Sequence, residues 1–173
     1  MATIANCSTE LNKATPTNFQ LVFPLLPPQV SLHANTELIL NIHSAVLPAV
    51  SLNPIEVDWQ GARHKMHGTP MDFEIFNVTF NVDASFRNWK LLFNWMNMIS
   101  NGKDQMAQFY KEYAIDAAVN VINNFEQPVL VVKFSGMWPT NLQEVSFSFK
   151  EGEVLLECSA TFVYDYFTVA ENT

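Results

Sequence analysis

Residues 76 to 83, FNVTFNVD, alternate strictly: Phe76, Val78, Phe80 and Val82 fall on one side of an extended chain, and Asn77, Thr79, Asn81 and Asp83 on the other. Successive side chains of a β-strand point to opposite faces, so this period of two predicts a strand with one apolar face and one polar, almost uncharged face. Residues 19 to 23 predict a short strand ended by a proline cluster. Leu38, Leu40 and Ile42 alternate with Ile39, Asn41 and His43 in a second strand reaching about Val46. Residues 50 to 59 form a third extended stretch, and Pro54 assigns it to an edge or a bulge because proline cannot donate to a ladder. The polar stretch QGARHKMHGTPMD that follows predicts a long loop or an extended hairpin. Residues 115 to 121, 129 to 135 and 145 to 149 are further strands, and a turn at residues 150 to 153 leads into a long last strand ending at Phe167.

One segment changes period. Ser85 is a good N-cap, and the stretch to Ser100 keeps helical spacing until Asn101-Gly102 supplies a stop. Phe86, Trp89, Leu92, Phe93, Met96 and Ile99 form one apolar stripe, while Leu91, Trp95 and Met98 form a second. One stripe suffices to dock a helix on its own sheet. The second has two readings, deep burial within one domain or contact with a neighbouring subunit, which makes Leu91, Trp95 and Met98 candidate interface residues.

These elements predict a mainly β fold, a barrel or sandwich of about seven or eight strands with one flanking amphipathic α-helix. At 173 residues the chain is read as a single domain, with residues 1 to 17 as a flexible amino-terminal arm. So many strands require closure, or pairing of edges between subunits, to prevent uncontrolled aggregation.

Seventeen acidic against nine basic residues give a net charge of -8, which argues against a nucleic-acid groove held by phosphate neutralisation. Cys7 and Cys158 make neither a disulfide framework nor a metal knuckle and read as reduced thiols. The opening lacks an apolar signal core and the run from Leu21 is broken by Pro24, Pro27 and Pro28, so neither a signal peptide nor a membrane anchor is expected.

His64 and His67 are the nearest approach to a metal pair, but no third ligand stands at a matching spacing and Arg63 and Lys65 repel a cation. No nucleophile, phosphate-binding or dinucleotide motif is present. Asp58, Asp72 and Glu74, as carboxylates flanking strands, read as solvated rather than as an acid and base pair, and Asp116 and Asp165, which interrupt apolar strands, read as facing water. The sequence therefore predicts no enzyme, no cofactor and no metal. The basic cluster RHKMH, in so acidic a chain, reads as an assembly contact with an acidic patch on another protein.

The segment GMWPTNLQEVSFSF, followed by a turn and a long strand ending TFVYDYF, resembles the carboxy-terminal signature of tail tube proteins of contractile-tailed bacteriophages. Its motif residues here are Gly136, Trp138, Pro139, Thr140 and Asn141, and the order of NFQLVF, SAVLPAV, FEIFNVTFNVD and FRNWKLLFNWMNMIS upstream agrees, so the resemblance spans about residues 17 to 167. On physical grounds Gly136 permits a turn, Pro139 fixes φ and Trp138 covers the strand ends, giving a rigid corner between two strands.

The resemblance implies a structural subunit that forms hexameric rings stacked into a hollow tube in the virion, assembled in the host cytoplasm. DNA and a tape-measure protein would pass through the lumen without specific binding, and sheath, baseplate and tail-terminator proteins would be partners. Under it, Asn77, Thr79, Asn81 and Asp83 are candidates for a polar lumen face along which DNA slides, and Arg63, His64, Lys65 and His67 for a ring-stacking loop. The alternatives are a baseplate tube initiator or injection-machine tube protein of the same fold, and a monomeric β-sandwich binding module using exposed aromatics such as Trp59.

Overall fold

The computed structural model of the chain describes residues 18–24, 26–27, 41–68, 70–100, 109–123, 127–147 and 155–171. The amino-terminal arm, residues 38–40 of the predicted second strand and residues 148–149 of the predicted seventh lie outside the described residues. Seven strands follow one hydrogen-bonded path: β1 (Phe19–Val22), β8 (Ile115–Ile122), β9 (Pro128–Leu142), β10 (Glu157–Val163), β7 (Phe76–Asn81) and β2 (Ile42–Val46), with β11 (Tyr166–Glu171) also on β9. Every pairing is antiparallel.

β9 belongs to two sheets. Its residues 130–135 lie between β8 and β11, and its residues 138–142 pair with β10. The path is thus two four-stranded sheets, β1-β8-β9-β11 and β9-β10-β7-β2, that share one strand. Their apolar faces meet. Leu21, Val119, Val132 and Phe134 from the first pack with Phe76, Val78, Phe80, Ala160 and Phe162 from the second, and the rings of Phe76 and Phe134 stand 4.8 Å apart across the gap. The alternation read in residues 76 to 82 is the burial pattern of β7. Cys158 is in the same core, its Sγ donating to the Gln143 carbonyl at 3.4 Å, and burial pushes its thiol pKa up.

Three strand boundaries differ from the sequence reading. The predicted strand at 145 is irregular through residue 147, and the predicted last strand breaks at residues 164–165 into β10 and β11. The third extended stretch divides into β3 (Val50–Ser51) and β4 (Pro54–Trp59), and the segment after it contains β5 (Ala62–His67) and β6 (Asp72–Phe73). Gln60 and Gly61 have φ of 51° and 79°, the two positive values of a type I′ turn, so β4 and β5 form the extended hairpin rather than a loop.

Helix α1 (Arg87–Ser100) begins two residues beyond Ser85. Phe86 takes the cap position at a φ of 56°, its carbonyl accepting from Lys90 N–H at 2.9 Å. The buried Asn88 amide holds this unfavoured entry. Its Nδ2 donates to the Asn81 carbonyl at 2.7 Å, and its Oδ1 accepts from the backbone of Asp83 at 3.2 Å and of Trp89 at 2.9 Å. A single polar side chain thereby ties the end of β7 to the first turn of α1.

Both apolar stripes of α1 reach the core, and of the two readings of the second, burial within the domain is the one observed. Leu91 and Trp95 are 3% and 0% exposed and Met98 packs against the same core, so the candidate interface stripe is the chain's own core face. Trp95 lies 6.3 Å from Phe162, and its Nε1 donates to the Tyr113 carbonyl in a short helix α2 (Tyr110–Tyr113) at 2.9 Å. Of the first stripe, Leu92 is buried, while Phe93 is exposed and lies flat on Trp89 at 5.3 Å.

Trp95→Ala is accordingly expected to destabilise the isolated chain by about 3–5 kcal/mol and Leu91→Ala by about 2–5 kcal/mol. Phe93→Ala should cost far less. Urea unfolding of dilute protein checks this: Leu91 or Trp95 variants of unaltered stability would contradict the assignment of this stripe to the core.

Candidate functional site

The motif at residues 136 to 141 lies inside β9, not between two strands. Gly136 has a φ of +67°, which bends β9 where it leaves the first sheet for the second. The site has no room for a side chain, because Tyr110 Oη and Asp165 Oδ2 occupy the space a Cβ would take. Tyr110 Oη donates to the Gly136 carbonyl at 3.1 Å. Asp116 Oδ1 accepts from Ser135 Oγ at 3.1 Å and from Gly136 N–H at 3.2 Å, while Asp165 N–H donates to the Ser135 carbonyl at 3.0 Å.

The two carboxylates expected to face solvent are therefore exposed but bonded, and both serve the bend. Partial burial, then the hydrogen bond to Asp165, pushes the Tyr110 hydroxyl up to about 12, so it stays a neutral donor at physiological pH. Pro139 is buried, and Trp138 packs edge-on against Tyr113 at 5.7 Å. Thr140 Oγ1 donates to the Thr161 carbonyl at 3.2 Å, fastening the far half of β9 to β10. Sequence reasoning missed Tyr110 and Asn88; the carboxylates interrupting apolar strands were the available signal for the first.

No side chain of the β4 and β5 hairpin belongs to the core. Every residue of both strands is solvent-exposed. Its register pairs Ile55 with Met66, Val57 with His64 and Trp59 with Ala62, which places these six on one face. Glu56 with Lys65 and Asp58 with Arg63 fall on the other, and Arg63 also reaches Glu56 at 3.5 Å and Asp58 at 3.4 Å.

The predicted positive loop is thus a ribbon whose charges cancel: two carboxylates on β4 face two cations on β5. What it presents instead is an apolar face, with Ile55, Trp59 and Met66 each more than half exposed. The signal was present in the period-two order Ile55, Val57, Trp59. His64 and His67 stand on opposite faces of the ribbon, so they cannot chelate together, and among the described residues no group of three metal-binding side chains gathers.

At its base the ribbon is continued by β3 and β6, paired through Val50 with Phe73 and Ser51 with Asp72. Phe73 is held by the rings of Tyr164 and Phe167, and Tyr164 Oη donates to the Glu74 carbonyl at 2.6 Å. Val46, Leu47, Val50, Leu52, Met71 and Ile75 extend the exposed apolar surface around this base.

The polar face of the second sheet is built mainly of hydroxyls and amides, with Glu157 at its end 3.8 Å from His43. Thr79 Oγ1 meets Ser159 Oγ at 3.0 Å, and Thr161 Oγ1 donates to Asn77 Oδ1 at 3.0 Å, so β7 and β10 share a ladder of hydroxyls and amides. Asn81 stands opposite Glu157 in register, at the end of this ladder. Asp83 does not belong to the face: it lies beyond β7 and accepts from Ser85 N–H at 3.2 Å in the entry to α1. Among the described residues, β1, β2 and β11 have a strand partner on one side only.

Gly136→Ala is expected to lose about 2–4 kcal/mol, from the positive φ and from the collision with Tyr110 and Asp165. Thermal and urea unfolding read this directly. An alanine variant as stable as the parent would show that the bend does not depend on glycine.

Three comparisons with known proteins bear on this fold. A family model described as phage tail tube protein matches residues 14–170. The tail tube terminator protein of Enterobacteria phage T4 is 27% identical over 172 residues, covering 93% of this chain and 91% of the relative. The fold superposes on a chain of the PVC extracellular contractile injection system's sheath-tube complex, with a TM-score of 0.65 at 16% identity over 99% of this chain and 100% of the other. It also superposes on the tube terminating cap of the anti-feeding prophage, with a TM-score of 0.63 at 19% identity over 99% and 100%. With the family model matched across nearly the whole described fold, the chain belongs to the phage tail tube protein family.

Proposed function

We propose that the chain is a ring-forming structural subunit of a phage tail tube, and that copies stack into, or cap, the hollow conduit through which DNA leaves the virion. The observation that carries this reading is the ribbon at residues 54–67: an apolar face of this kind, exposed along its whole length, marks an interaction surface in a stable protein. The single-sided strands β1, β2 and β11 support it, since pairing with strands of neighbouring copies would remove edges that otherwise invite aggregation.

In the assembled ring the ladder of Asn77, Thr79, Ser159 and Thr161 suits a lumen, because a wall without cations does not hold DNA by counterion release. The ribbon, carrying Arg63, His64, Lys65 and His67, is the contact with the next ring, made through its apolar face rather than through net charge. The partners in this reading are copies of the same chain in hexameric rings, with sheath outside and baseplate or terminator proteins at the tube ends. DNA and a tape-measure protein pass inside, and the chain itself catalyses nothing.

The terminator relatives favour a second reading of position, an end ring rather than an interior one. Negative-stain microscopy of the purified full chain, with sedimentation over a range of concentrations, tests both. Long tubes place the chain along the conduit, and discrete rings that bind tube ends place it at the terminus. A strictly monomeric species at every concentration contradicts the ring-forming function.

A further inference from the structure

A trough of about 370 Å³ lies between Pro24, Leu26 and Pro27 on one side and residues 111–116 on the other, with Pro24, Leu26, Pro27, Ala114 and Ile115 supplying its apolar lining. Lys111, Glu112 and Asp116 stand along its rim. A second hollow of about 350 Å³ shares Pro24 and Asp116 with it and continues over the outer face of the first sheet, past Lys133 and Thr168. The chain's own ribbon does not fill either one, since all of its residues are exposed. Among the described residues, the molecule therefore carries both an apolar ridge without a cover and an apolar hollow without a filling.

The two match in size and in charge. Trp59 is 65% exposed and adjoins the turn at Gln60 and Gly61, the narrow end of the ribbon. An indole brings roughly 150–250 Å² of surface, and hollows of a few hundred cubic ångströms are what bury groups of that kind. The ribbon's four charged side chains lie on its other face, so docking the apolar face carries no unpaired charge into the trough. His64 is the one titratable group on the docking face, and Glu112 and Asp116 on the rim offer it carboxylates.

We infer that Trp59 of one copy docks in the trough of a second copy, between Pro24 and Ile115. This rests on the ring-forming reading and adds the receiving surface to it. Ridge and hollow are different patches of the same chain, so the contact is head-to-tail. Such contacts close into a ring or continue as a stack, depending only on the rotation between copies, and this is the geometry that a tube subunit requires.

The test uses the full chain with a photoreactive benzoyl-phenylalanine in place of Trp59, mixed with isotope-labelled parent, irradiated under assembling conditions and mapped by mass spectrometry. The inference predicts crosslinks to residues 24–27 or 111–116 of the labelled copy. Crosslinks to another surface of the labelled copy overturn the inference and leave the ring-forming reading standing, as does efficient assembly without any crosslink. A monomer at all concentrations overturns both. In parallel, Trp59→Ala is expected to weaken association at least about 30-fold, as loss of an interface anchor does, with its urea midpoint unchanged because the indole is exposed in the single chain. Association equal to that of the parent would overturn the inference.

Discussion

One strand holds the molecule together. β9 supplies the central pairing of the first sheet and an edge of the second, and it does both only because it bends at Gly136. The bend packs the apolar faces of the two sheets onto each other, with Phe134 before it and Pro139 after it both buried. A buried proline is accommodated there because the far half of β9 is an edge of the second sheet and its pairing with β10 is irregular between residues 139 and 141. The polar groups exposed by the bend are taken up locally. Asp116, Tyr110 and Asp165 bond the backbone or side chains of residues 135 and 136, and α2, which brings Tyr110, is itself fixed by Trp95 of α1. The core of the helix, the bend of the strand and the joining of the sheets are one connected arrangement.

That arrangement satisfies the interior but not the surface. The ribbon of β4 and β5 stands out from the sandwich, anchored at its base by the rings of Phe73, Tyr164 and Phe167. Its charged face neutralises itself, and no described residue of the same chain covers its apolar face. Burying apolar surface is the dominant favourable contribution to most protein association, and on the proposed ring-forming reading that face is buried against copies of the chain. Its net charge of -8 acts in the other direction, as a mutual repulsion between free copies that the proposed contact has to overcome.

Much of the fold was legible because it follows from alternation. The burial of Phe76, Val78 and Phe80 and the uncharged opposite face required only the period of two. The hairpin was harder. Arg63, His64, Lys65 and His67 read as a positive loop because the sequence does not show that Glu56 and Asp58 lie across from them in register. The helix left its second stripe open for a related reason: two apolar stripes identify a helix with little polar surface, but how each meets the core is decided by where Phe162 and Tyr113 stand, far along the chain. Likewise Ser85 is the better cap by residue type, yet the buried Asn88 imposes an entry through Phe86 at positive φ. Gly136 and Pro139 announced a change of direction, and only the pairing of residues on either side revealed that it happens within a single strand.

The claim at the centre of this account is that the ribbon and the single-sided strands become covered only when copies meet. Amide hydrogen exchange, followed residue by residue in dilute and in concentrated protein, addresses it directly. Slowed exchange at high concentration, confined to residues 54–67 and to β1, β2 and β11, is the predicted result. Exchange in those segments that stays fast and independent of concentration, while the rest of the sandwich remains protected, would contradict it.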